Sequence, residues 1–275
     1  MNSENIIQFM HPGGYDRKEG EISWNRGRHK RKLIENKILF LEDDGESKNE
    51  SGYFWGEWES YSIASRENFN GNKYYAHTLL LHSYDNDKTD VTSENCNGGC
   101  KSADNGLLNT DPYVFGDHFY YSNCMQNKYP ILKDLHENDI IIFGSRVNGE
   151  FVLDTVFVVD GDIEKDECSD CFKDECSDCF KTVTVNLLDK ESNNKIYKGK
   201  MYNEKAKKDE IYSFFPCSDK PFDRPVLALE GITKQKRGIH YIKKRSSKEI
   251  WNDIVAAVKS KGLKIGVWAK EPEER

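Results

Sequence analysis

The run "NDIIIFGSRVNGEFVLDTVFVVDGD", Asn138 to Asp162, restricts the fold more than any other part of the chain. Two stretches of β-branched and aromatic residues flank Asn148 and Gly149, the residue types that accept the positive φ of a tight turn. Ile140 to Phe143 and Phe151 to Val159 are therefore expected to pair as a β-hairpin. Further strands are predicted at "KILFLE" (Lys37 to Glu42) and "GYFWGEWE" (Gly52 to Glu59), joined by the polar linker "DDGESKNES". "KTVTVNLL" (Lys181 to Leu188) and the closing "LKIGVW" read as two more. One amphipathic helix is expected over Ser247 to Lys261. Ser246 and Glu249 have capping-box spacing there, Ile250, Ile254, Ala257 and Val258 recur on one face, and Gly262 ends the run.

These elements predict an α+β chain that is mostly β, built as a partly open barrel or a mixed sheet with a few helices, the C-terminal one included. With 275 residues, 37% of them hydrophobic and 12% aromatic, the chain can bury a substantial core. No Pro- or Gly-rich linker divides it, so residues 1–275 read as one β-rich domain. It carries two excursions, a polar loop over 83–109 and a cysteine-rich insertion over 161–181. The formal net charge of -7 argues against a protein that coats nucleic acid with an overall positive surface. No apolar run of about 18 residues is present to span a bilayer, and the N-terminus lacks a basic flank before an apolar core, so the expected compartment is the cytoplasm.

Five segments combine aromatic rings with polar heads and backbone-fixing Gly or Pro. They are "HPGGY" from His11, "SWNRGRHKRK" from Ser23, "FWGEWES" from Phe54, "NTDPYVFGDHFYYSNCMQ" from Asn109 and "FFPCSDKPFDRP" from Phe214. Flat apolar faces with a few orienting heads suit a small-molecule site, whereas an aromatic sheet core accounts equally for any one segment. Two basic runs narrow the ligand. "RGRHKRK" gathers Arg26, Arg28, Lys30, Arg31 and Lys32 around His29, and "KQKRGIHYIKKR" gathers Lys234, Lys236, Arg237, Lys243, Lys244 and Arg245. Interleaved with Trp24, His29, His240 and Tyr241, they fit phosphate neutralisation combined with base stacking. A lysine-guarded edge strand is the plainer reading of the second run.

The predicted ligand is therefore a nucleotide, or a nucleobase in nucleic acid. Trp24, Trp55, Trp58, Phe115, Phe119 and Tyr121 are its expected stacking surfaces. Arg26, Arg28, Lys30 and Arg31 would hold phosphates, while Asn25, Glu57, Asp111 and Asn123 would read base edges, with His11 and His29 close by. Along "DHFYYSNC" strand alternation is expected to put Phe119 and Tyr121 on one face with Asp117 and Asn123. A nucleotide hydrolase or nuclease using Asp111, Asp117 and Glu57 with a divalent metal is the first alternative, and a structural or protein-interaction module the second. Glu57 and Glu59, two apart, are a candidate carboxylate pair, and His118, Cys124 and Asp154 are further catalytic candidates. No Walker, dinucleotide-binding, zinc-protease, serine-hydrolase or kinase motif is present.

The eight cysteines include Cys168, Cys171, Cys176 and Cys179 in the tandem octapeptide "KDECSDCF". Four thiolates suit tetrahedral zinc, but the two CxxC pairs stand closer together than zinc knuckles usually do, and a slippage duplication gives the same pattern. Cys96 and Cys100 in "CNGGC" form another candidate pair.

"LHENDIIIFGS" followed by "GEFVLDTVFVV", Leu135 to Val159, resembles the strand pair of PUA-like domains, the ASCH and EVE groups among them. The likeness implies a partly open β-barrel with a cleft for RNA or modified DNA bases. Asn138 stands where those domains more often carry Gly. The full set "HPGG", "WNRGRHKRK", "FWGEWE", "NTDPYVFGDHFYYSNC" and "FFPC" is also similar to a widespread bacterial family.

Overall fold

The computed structural model describes residues 4–10, 31–42, 46–60, 62–81, 110–122, 129–163, 177–185, 195–204, 210–234 and 238–273. They form a mostly β structure of two six-stranded sheets. The first contains β1 (Ile6–Met10), β6 (Tyr120–Tyr121), β7 (Ile140–Val147), β8 (Glu150–Ile163), β9 (Ile196–Gly199) and β11 (Gly238–Tyr241), in the order β11-β1-β7-β8-β9-β6. The second contains β2 (Arg31–Leu41), β3 (Ser47–Glu57), β4 (Ser62–Phe69), β5 (Asn72–Leu79), β10 (Phe215–Ser218) and β12 (Lys264–Ala269). Its order is β12-β10-β3-β2-β5-β4, and β12 also pairs with β2. Strands β2, β3, β10 and β12 thus run as a partial ring, while β5 and β4 extend from the side of β2.

The β7–β8 hairpin forms as its sequence dictates, with Asn148 at φ 50° and Gly149 at φ 84°. Strand β7 is buried on both faces. Ile140 and Ile142 join a cluster with Ile250, Ile254 and Val258, whereas Ile141 and Phe143 join a ring-rich cluster with Phe54, Phe115 and Phe215. That two-sided burial explains a strand sequence with no polar alternation. The predicted "KILFLE" and "GYFWGEWE" strands are β2 and β3, paired antiparallel along their whole length. A second Asn-Gly turn, Asn70 at φ 49° and Gly71 at φ 79°, closes the β4–β5 hairpin. The sequence carries the same dipeptide signal there, in "NFNGNKYY".

Helix α2 (Ser247–Lys259) has the complete capping box, Ser246 accepting from Glu249 N and Glu249 from Ser246 N. Its Ile250, Ile254 and Val258 join a cluster with Ile140 and Ile142 of β7 and Ile265 and Val267 of β12, and Trp251 Nε1 donates to Tyr212 O at 2.8 Å. The two sheets meet where Phe214 exchanges both backbone bonds with Val156 of β8, at 2.8 and 2.9 Å, just before the chain enters β10. Among the described residues no helix is long and apolar enough to cross a membrane.

One predicted element is of a different kind. Part of "KTVTVNLL" belongs to helix α1 (Asp178–Val183), where a strand was expected, and residues 186–188 lie outside the described residues. The β-branched run reads as strand by propensity, but Ser177 caps the helix, its hydroxyl accepting from Phe180 N at 3.1 Å. Packing then fixes it: Phe180 stacks on Tyr120 with centroids 4.2 Å apart, and Thr184 Oγ1 donates to Thr110 O at 2.9 Å. The bounds expected for the insertion shift accordingly. Residues 161–163 continue β8, and Cys179 and Phe180 at the end of the second octapeptide are core residues. The 83–109 excursion and the first octapeptide lie outside the described residues.

Because the octapeptides are identical, removing residues 165–172 preserves the sequence that caps and anchors α1. That deletion is expected to leave the urea midpoint nearly unchanged, whereas Phe180→Ala, which empties a fully buried ring site, is expected to cost about 3–5 kcal/mol. A deletion as damaging as Phe180→Ala would show that the first copy is itself part of the fold.

Candidate functional site

Strand register brings the first two site residues together. Arg31 opens β2 directly opposite Glu57 at the end of β3, and the Arg31 guanidinium donates from Nη1 to Glu57 Oε2. Arg31 Nε donates to Asp154 Oδ2 at 2.9 Å. Asp154 reaches this point because β8 bulges there: Thr155 pairs with Phe143 and Leu153 with Gly144, which leaves Asp154 as the extra residue. Gly144 is required at the bulge, since a Cβ would lie 2.2 Å from Val152 O. A second arginine completes the cluster. The loop after β10 is held to β8 by Leu153 N to Pro225 O and Leu227 N to Phe151 O, both 2.9 Å. Arg224 Nε then lies 3.3 Å from Asp154 Oδ1. Trp55 ties the same loop to β3, its Nε1 donating to Phe222 O at 2.7 Å, and the Arg224 guanidinium sits 5.9 Å from the Trp55 ring.

Two guanidinium groups and two carboxylates, none more than 7% exposed, therefore meet beside a half-buried tryptophan. The low dielectric strengthens their attraction and makes removal of one member costly, because a partner is left charged and buried. Of the predicted site residues, Arg31, Trp55, Glu57 and Asp154 converge here. Arg224 was legible only as part of "FFPCSDKPFDRP"; its role follows from the 225–227 backbone pairing, which leaves no local sequence signal. The placement of Arg31 alters its expected part, since both charges it faces are already carboxylates.

The remaining rings sit elsewhere. Phe115 packs against Trp58, Phe54 and Tyr113 with centroids 5.3–5.9 Å apart. Phe119 stacks on Phe215 at 5.9 Å, and Tyr121 meets Phe143 at 5.2 Å and Tyr197 at 6.4 Å. Trp58, Phe115, Phe119 and Tyr121 thus belong to the ring-rich core, each at most 1% exposed. The expected sharing of a face by Asp117, Phe119 and Tyr121 does not occur. Gly116, at φ 71°, turns the chain, Asp117 is exposed on that turn, and the strand comprises only Tyr120–Tyr121, too short for alternation to carry back to Asp117.

Asp111 is buried and clamps the start of this segment to its end, accepting from Ser122 N at 2.9 Å and Ser122 Oγ at 3.1 Å. Asp111, Asp117 and Glu57 thus stand in three different settings. Glu59 lies past the end of β3, so the strand alternation that paired it with Glu57 does not apply, and its N–H donates to Thr110 Oγ1 at 3.2 Å. Among the described residues no group of three His, Cys, Asp or Glu side chains is placed to hold a metal ion. Cys179 is buried next to the Tyr113 phenol, whose ionisation is pushed well up by burial first and then by Cys179 and Glu271. His11, Trp24, Asn25, Arg26, Arg28, His29, Lys30 and Asn123 lie outside the described residues, as do Cys96, Cys100, Cys124, Cys168, Cys171 and Cys176.

Lys32, the last cation of the first basic run, belongs to a separate polar chain. Its Nζ donates to Ser62 Oγ at 3.1 Å, and that hydroxyl lies 2.9 Å from His77 Nδ1. Burial, and secondarily the Lys32 charge, lower the His77 pKa from 6.5 to about 3.

No protein-family model, curated protein or solved structure matches the chain.

Two predictions follow from these buried groups. Asp154→Ala is expected to destabilise the protein by about 3–5 kcal/mol in urea unfolding, and Asp154→Leu combined with Arg224→Met to cost clearly less than Asp154→Leu alone. Additive losses would mean that Asp154 and Arg224 act independently. His77 is neutral when folded, whereas the unfolded chain protonates it near 6.5, so its contribution to stability is complete above that pH and is lost as pH falls from about 6.5 toward about 3. His77→Asn should flatten the decline in thermal midpoint between about pH 7 and about pH 4. An unchanged slope would remove His77 as its source.

Proposed function

We propose that the protein binds a nucleotide, or a nucleobase within a nucleic acid, at the Trp55 and Arg224 end of the buried charged cluster. The observation that carries this reading is the convergence of Arg31, Trp55, Glu57, Asp154 and Arg224 from four separated parts of the chain. An aromatic face with a guanidinium over it is a stacking surface for a base, and carboxylates and guanidinium groups are the heads that read base edges. Clusters of buried charge are also where binding sites concentrate, because a well-packed apolar core of the same volume is often at least as stable.

The basic residues Arg26, Arg28 and Lys30 immediately precede Arg31 in sequence and are the proposed phosphate contacts. The resemblance to PUA-like domains points toward the same ligand class. Asn138, standing where those domains more often carry Gly, has φ 68°, a conformation that glycine adopts readily and asparagine tolerates.

Isothermal titration with each ribonucleoside monophosphate, together with tryptophan fluorescence, tests the reading. Binding is expected for at least one of them, weakened about tenfold or more in Trp55→Ala and largely kept in Trp55→Phe, since stacking on an aromatic face contributes about 1–3 kcal/mol per base. With a short oligonucleotide, Arg28→Gln combined with Lys30→Gln should make the salt slope about 1.4 less steep. Absence of any nucleotide binding, or parental affinity in a folded Trp55→Ala, would overturn the proposal.

A further inference from the structure

We infer that the open edge of strand β11, with the lysines that follow it, is a second nucleic-acid contact surface that takes an extended single strand. This inference concerns a different surface from the Trp55 site and rests on the nucleic-acid form of the proposed function.

Among the described strands the topology leaves this edge unpaired, with Gly238, Ile239 and His240 half-buried and Tyr241 exposed. Strand β11 ends the first sheet and pairs with β1 alone among the described strands. In that antiparallel pair Ile242 N donates to Ile6 O at 2.9 Å, so the alternation of an antiparallel ladder turns the backbone groups of Tyr241 and Ile239 away from β1, toward the open side. Among the described residues, two of the three exposed large hydrophobic residues stand at this edge. Tyr241 is 51% exposed at its end, and Tyr129, 36% exposed, places its hydroxyl 3.4 Å from where a Cβ on Gly238 would lie at its start. An apolar ring this exposed is a stacking face that the core does not use.

Cations outnumber carboxylates at the C-terminal end of the edge. Lys243, Lys244 and Lys248 are exposed around the C-terminal end of β11. The carboxylates bonded here, Glu4, Glu249 and Asp253, keep their charges but are fewer than the four cations Lys243, Lys244, Arg245 and Lys248. Glu249 caps helix α2, Asp253 pairs with Arg245, and Glu4 accepts from Ser247 N at 3.0 Å. On a chain of net charge -7, a local cationic surplus beside an exposed tyrosine fits a phosphate backbone with a base stacked on the ring. The register also sets its relation to the Trp55 site. Gly238, Met10, Gly144 and Leu153 form one cross-strand row, so the edge begins three strand spacings, about 14 Å, from the strand that carries Asp154. A strand of a few nucleotides covers that distance, whereas a mononucleotide does not.

The experiment measures fluorescence anisotropy of labelled oligothymidylate and oligouridylate on the full chain, with oligoaspartate as the acidic peptide control. Tyr241→Ala should weaken oligonucleotide binding about tenfold and Tyr241→Phe restore it to within about twofold. Lys243→Glu with Lys244→Glu should weaken it about tenfold or more at about 50 mM salt, with a much smaller difference at about 200 mM. Both variants lie on the surface, and their thermal midpoints should match the parent. Mononucleotide affinity should be unchanged in them.

Parental oligonucleotide affinity in both folded variants, alongside loss of mononucleotide binding in Trp55→Ala, would overturn the edge inference and leave the Trp55 reading standing. Oligonucleotide binding that depends on Tyr241, with no mononucleotide bound, would do the reverse. Equal affinity for oligoaspartate would also overturn it, marking the edge as a site for extended acidic peptides.

Discussion

The buried contact among Arg31, Glu57, Asp154 and Arg224 joins the two sheets and the loop after β10. Arg31 and Glu57 belong to the second sheet, Asp154 to the first, and Arg224 to the loop that leaves β10. A cluster of this kind requires all its members, because each charge is tolerated in the interior only while its counter-charge is in place. The β8 bulge, the glycine at position 144 and the backbone pairing of residues 225–227 are the local devices that bring those members together.

Around that cluster the two sheets share a core of rings. Phe54, Phe115, Phe119, Tyr121, Phe143 and Phe215 come from both sheets and the segment between them, and they meet edge-on or offset. The aromatic richness of "NTDPYVFGDHFYYSNCMQ" is thereby accounted for mainly by packing: a short strand, a clamping aspartate and rings on both faces of it. Asp111 has a structural task in this segment, since two bonds from Ser122 compensate the desolvation of its carboxylate. Helix α2 packs into the second cluster, which draws on both sheets, and among the described strands β11 ends the first sheet.

Local rules were sufficient wherever a residue's neighbours in sequence were also its neighbours in space. Asn148-Gly149 determined the β7–β8 hairpin, Ser246 and Glu249 the start of α2, and Gly262 its end, because turns and caps are made within a few residues. The sequence also made Arg31, Trp55, Glu57 and Asp154 visible as polar or stacking candidates. What it did not determine was their grouping, or the burial of Trp58, Phe115, Phe119 and Tyr121. A ring suited to stacking on a base is equally suited to stacking on another ring, and only the distant strands decide which it meets. Lys181 to Val183 became helical for the same reason: β propensity amounts to about a few tenths of a kcal/mol per residue, while burying the Phe180 ring against Tyr113 and Tyr120 contributes about 3–5 kcal/mol. Arg224 is the clearest case. Its partner lies 70 positions away, at a bulge that one extra residue creates, and nothing within a turn or a strand of Arg224 encodes that meeting.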